Sequence, residues 1–170
     1  KNFVDSVEVK EVYALGYHAV PYSSPSEISA LVHNFADEDR TVQVDLTIRN
    51  VDGGEIRHTE STSVVISATS SQVVNFTPWS PAFQETDSII VSVASLPGET
   101  ITDNNSNYHI QIVNTTHVGQ SDRTSSITGA GFGLDAGLLL NKFTMNGCGA
   151  VNAAIIYLEN TTQGNPVYAV

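Results

Sequence analysis

The chain has 170 residues, with 18 acids against 7 bases, a net charge of −11, 41% hydrophobic residues and a single cysteine. This balance excludes a disordered polymer, a fold stapled by intrachain disulfides, and a protein that tracks nucleic-acid phosphates through a basic surface. No stretch reaches the length of a membrane-spanning helix, so no membrane insertion is expected.

The chain opens at Lys1 with no signal peptide and runs straight into a strand pattern, as a processed chain would. Val7, Val9 and Val12 mark a first strand over residues 4–15. Gly16, Tyr17 and His18, followed by Pro21 and Pro25, predict a turn-rich bend with no long regular element. Residues 27–35 alternate, with Ile28, Ala30 and Val32 opposite Ser29, Leu31 and His33. Residues 34–40 read as an acidic turn. Residues 41–50 give the cleanest alternation, with Val42, Val44, Leu46 and Ile48 on one face and Thr41, Gln43, Asp45, Thr47 and Arg49 on the other. Asp52, Gly53 and Gly54 then supply a tight turn.

Residues 55–60 read as a polar edge strand whose mixed charges discourage pairing with a neighbour. Two further short strands are expected at 63–68 and 72–77, joined by a turn at 69–71. The stretch 86–113 reads as strand, acidic amide-rich turn, strand. Ile89, Val91 and Val93 form a β-branched row in its first half. In its second half Tyr108, Ile110 and Ile112 alternate with His109 and Gln111, which assigns the apolar row to the core and the polar row to solvent. Seven or so short strands without a credible helix predict an all-β, antiparallel sandwich over residues 1–114.

Residues 115–130 are polar and aperiodic, the composition of a linker. The acidic charge stops near it. Through Val113 there are 15 acids and 5 bases, or −10; beyond it 3 acids and 2 bases give −1. Residues 131–170 read as a partial second β unit, with strands at 137–145 and 150–158 around an Asn146-Gly147 turn. Val151, Ala153, Ile155 and Tyr157 share a face whose opposite side is also largely apolar, so this unit wants cover on both sides. It packs on the first unit, pairs with another chain, or begins a second sandwich.

Several residues carry potential chemistry. Asp103, Asn105 and Asn107 have the alternating oxygen spacing that opens many calcium loops, although two of the three are amides and no Glu follows them. A plain Asn-rich turn explains the same residues. Trp79, flanked by prolines, and Tyr17 and Tyr22 in the early bend are candidates for stacking on sugar rings. Alternatively Trp79 closes the end of the sandwich. The five histidines form no H-x-x-x-H pair, and Cys148 has no neighbouring charge or base to activate it. Asn-x-Ser/Thr sequons at Asn75, Asn104, Asn114 and Asn160 are expected by chance in a chain rich in these residues. No catalytic constellation stands out, so no enzyme is expected.

VEVKEVYAL at the start, EISALVHNF leading to TVQVDLTIRN, VVNFTPWSP before SIIVSVA, and DNNSN before the last strand resemble a CARDB-type domain. CARDB (cell-adhesion-related) domains are immunoglobulin-like modules of bacterial surface and secreted proteins. Residues 131–170 resemble the opening of a jelly-roll-like domain, as in large secreted Bacteroidetes proteins that often use the type IX route. The resemblance implies an extracellular or cell-surface location and a role in adhesion, spacing or assembly. It brings no shared catalytic residues. Expected partners are other chains or further domains of the same protein, meeting exposed strands of 131–170, and glycans. No cofactor is expected apart from the calcium reading. Two other readings stand beside this one: a carbohydrate-binding accessory module, and an appendage of a secreted hydrolase.

Overall fold

Residues 6–120, 142–147 and 150–155 are described by a computed structural model. Among them are eight strands and no helix: β1 (Val7–Tyr13), β2 (Tyr17–Ala19), β3 (Ser29–Asn34), β4 (Arg40–Asn50), β5 (Ile56–Ile66), β6 (Ser71–Asn75), β7 (Thr86–Val93) and β8 (Ser106–Asn114). They form a three-stranded sheet in the order β1-β3-β6 and a five-stranded sheet in the order β2-β8-β7-β4-β5. Every pairing is antiparallel except β2 with β8, which is parallel. This is the immunoglobulin-like sandwich that the alternation predicts.

The core lies between the sheets. β4 presents Val42, Val44, Leu46 and Ile48, and β7 presents Ile89, Val91 and Val93. Val7, Val9, Val12, Ala30, Val32 and Val74 face them from the smaller sheet. β-Branched side chains suit both the pleat and the burial, and each large one removed from water contributes about 1.5–3 kcal/mol. Asn34 ties the two layers together. Its buried amide donates to the carbonyls of Glu38, Ile66 and Ser67, and its Oδ1 accepts from Ala36 N.

Three local expectations are corrected. Residues 55–60 and 63–68 are not separate strands. They join in β5, because β4 is equally long and pairs with it across the supposed break, Asp45 to Ser61 and Val44 to Thr62, with one register shift near the far end between Ile48 and Arg49. The expected bend at 16–18 contains a strand instead: Tyr17–Ala19 lies beside Ile112–Asn114. Three residues carry no readable periodicity, so only the partner strand defines β2.

The third correction concerns β8, whose faces are reversed. Cross-strand partners share a face. Ile89 pairs with His109, Val91 with Asn107 and Asp87 with Gln111. Since Ile89 and Val91 point into the core, the His109 and Gln111 row must point inward too. Tyr108, Ile110 and Ile112 are thereby turned to the outer surface.

After β8 the chain doubles back. Asn114 Oδ1 accepts from the amides of Thr116 and His117, and Gly119 exchanges backbone hydrogen bonds with Tyr17. Of the linker predicted at 115–130, residues 121–130 lie outside the described residues. Residues 142–147 lie against the early loop. Ser24 N donates to Thr144 O, Asn146 N to Tyr22 O, and Asn146 Nδ2 to Ser23 O. Gly147 has φ +101°, which suits glycine in the Asn146-Gly147 turn. Residues 150–155, expected to begin a strand, are in no ladder. The rest of the predicted second unit, Cys148 included, lies outside the described residues.

Candidate functional site

The sequence-predicted residues do not converge on one place. Asp103 is exposed, Asn105 is buried and Asn107 is half-buried. Asn107 Nδ2 donates to the carbonyls of Val9 and Lys10, and its Oδ1 accepts from Tyr108 N. Asn105 Nδ2 donates to Glu99 Oε2 at 2.9 Å. The loop thus fastens the start of β8 to β1. Glu99 escaped the sequence reading because it precedes the Asn-rich turn instead of closing it. Its carboxylate also accepts from Val7 N and Leu96 N, both at 3.0 Å. Among the described residues, no group of three or more His, Cys, Asp or Glu side chains is arranged to hold a metal.

Trp79 is half-buried against the core cluster, with its ring 5.3 Å from that of His58. Its backbone bridges Ser26 in both directions. Tyr17 lies half-buried on β2 with its ring 6.3 Å from His117, whereas Tyr22 is exposed in the following loop. Trp79 therefore meets His58 of β5, whereas Tyr17 meets His117 beyond β8.

A polar row crosses the inner face of the larger sheet. Asn50 on β4 pairs with Asp87 on β7, and Asp87 pairs with Gln111 on β8. Asp87 and Gln111 are 0% exposed. Gln111 Nε2 donates to Leu15 O and Ser26 Oγ. Neither carboxylate oxygen of Asp87 has a hydrogen-bond partner. Burial raises its pKa to about 6, helped by the nearby Glu85 and opposed by Arg57. Beside the row, Arg57 holds Glu85 through two hydrogen bonds of 2.8 and 2.7 Å. That fork holds the Glu85 carboxyl below its ordinary range, as does the bond from Asn50 Nδ2. Arg57 also lies 4.9 Å from the Phe83 ring centre.

The reversal of β8 builds a feature on the outer face. An open groove of about 380 Å³ is lined by Arg49, Ser88, Ile90, Ser106, Asn107 and Tyr108. Tyr108 is 64% exposed, more than any other aromatic residue among those described. Its cross-strand partner Ile90 forms part of the groove floor. Arg49 enters from β4, opposite Ser88. No hydrogen bond or ion pair engages its guanidinium among the described residues, whereas Arg40 and Arg57 each meet a glutamate.

No protein-family model and no curated protein matches the chain. Solved structures do. The CARDB domain of a Pyrococcus furiosus protein, crystallised with di-metal ions, aligns at a TM-score of 0.54 and 17% identity, covering 67% of this chain and 97% of that domain. A Paenibacillus sp. cycloisomaltooligosaccharide glucanotransferase, crystallised with cycloisomaltoheptaose, aligns at a TM-score of 0.54 and 23% identity. There the match covers 66% of this chain but only 15% of the enzyme. The eight-stranded sandwich therefore has the CARDB-type, immunoglobulin-like fold.

Proposed function

We propose that the chain is a non-catalytic structural module of an extracellular or bacterial surface protein, which spaces, adheres or assembles through strand edges. The observation that carries this reading is β5. It is the terminal strand of the larger sheet, and beyond the mixed charges of residues 55–60, which discourage pairing, residues 61–66 are uncharged with Val65 exposed. A terminal strand presents backbone donors and acceptors that a neighbouring strand can pair with. The strands expected within 131–170 would add further edges of the same kind.

Light scattering on residues 1–170 and on residues 1–116, over a range of concentrations, tests this. Assembly of the longer chain with a monomeric 1–116 would place association in the C-terminal part. Assembly of both would place it on the sandwich edges. If both stay monomeric at every concentration, assembly through β-edges is abandoned.

A second reading has its own support. The same fold occurs as a small part of a carbohydrate-active enzyme, the glucanotransferase, which favours an accessory module appended to such an enzyme.

A further inference from the structure

We propose that the outer groove between Tyr108 and Arg49 binds a glycan, with Tyr108 stacking on a pyranose ring and Arg49 pairing with the carboxylate of a uronate. The proposal extends the accessory-module reading and is independent of edge assembly.

The platform comes first. Tyr108 stands on a paired strand, not on a loop tip. Its backbone is fixed by Asn107, which is itself bonded to two carbonyls of β1. A tyrosine on a fixed backbone has only two side-chain torsions to lose when a ligand stacks on it. The phenol combines an apolar face with a polar edge, which suits the C–H face and the hydroxyls of a sugar. Ile90 continues the apolar floor, while Ser88 and Ser106 line the groove with hydroxyls.

The cation comes second, and it selects the ligand class. The chain carries −11 overall, and its other described arginines are held by glutamates. Arg49 remains uncommitted at the rim of a groove that contains no carboxylate. A planar guanidinium offers paired N–H donors that match a carboxylate fork. The acidity of the remaining surface disfavours a densely charged polyanion. A largely neutral polymer carrying occasional uronates satisfies both conditions.

The test uses the whole 170-residue chain and affinity electrophoresis in gels containing soluble glucuronoxylan. Parallel gels contain the same polymer after its carboxyl groups have been reduced to alcohols. The expected result is retardation by glucuronoxylan, weakened about tenfold by carboxyl reduction, the scale of a single charge-assisted contact. R49Q should lower affinity for glucuronoxylan to the level of the reduced polymer and change nothing on the reduced polymer itself. Y108A should abolish retardation by both, while Y108F retains it. Tyr108 and Arg49 are surface residues, and circular dichroism of each variant confirms that the sandwich is intact.

Equal binding of the two polymers, or an R49Q variant that behaves as the parent, would overturn the uronate assignment. Absence of retardation by either polymer, or a Y108A variant that binds normally, would overturn the groove. Light scattering reads none of these outcomes, so failure here leaves edge assembly standing.

Discussion

At the scale of single residues, Asp87 is the most consequential side chain. A valine or isoleucine would continue its row, yet a carboxyl occupies the position without a hydrogen-bond partner. Its folded pKa of about 6 lies above the ordinary carboxylate value of 3.8. Between those two pH values the folded state binds the proton more tightly than the unfolded state does. The contribution of Asp87 therefore favours folding at low pH and is lost as pH rises through about 6. D87N should stabilise the protein at pH 7.5 by roughly 2 kcal/mol, with the gain shrinking toward zero near pH 4. Urea unfolding of both proteins across that range measures it. A gain that does not vary with pH would show that shape, not charge, governs the site. His18 acts in the opposite sense: burial lowers its pKa, so its contribution to stability declines as pH falls through the histidine range.

At the scale of elements, β5 and β8 illustrate different limits of the sequence pattern. The polarity of β5 identifies an edge strand, as expected for residues 55–60, but its full length is set by the ladder with β4. If this edge mediates assembly, I56K and V65K together should reduce association. A charged edge resists pairing, and both residues are exposed, so the melting temperature should stay within a few degrees. Light scattering and calorimetry on the same samples measure the two effects. An assembly state unchanged by the lysines would acquit β5 and leave the C-terminal residues as the associating surface. In β8 the pattern has period two, yet its apolar row faces out and its polar row faces in. The buried Gln111 amide is compensated at its Nε2, which reaches both Leu15 O and Ser26 Oγ, but not at its Oε1, which has no hydrogen-bond partner.

At the scale of the whole molecule, cohesion between the sheets depends on few polar ties and one apolar layer. Asn34, at the end of β3, bonds three carbonyls, among them those of Ile66 and Ser67 at the end of β5. N34A leaves those acceptors without their donor and should cost about 1–3 kcal/mol. L46A, in the middle of the apolar layer, should cost about 2–5 kcal/mol through lost burial and a cavity. Equilibrium denaturation measures both, and an N34A variant as stable as the parent would mean that water replaces the tie at no cost. The sequence by itself determined the sandwich, the core rows of β3, β4 and β7, and the acidic character of the chain. Each follows from local alternation and composition. Alternation says that a strand has two faces but not which one meets the core. Only the register of β8 on β7 decided that Tyr108 lies open, that Asp87 and Gln111 are buried together, and that Arg49 shares a groove with a tyrosine 59 positions away. Such contacts belong to pairs of strands distant in the chain, and no single strand's pattern encodes its partner.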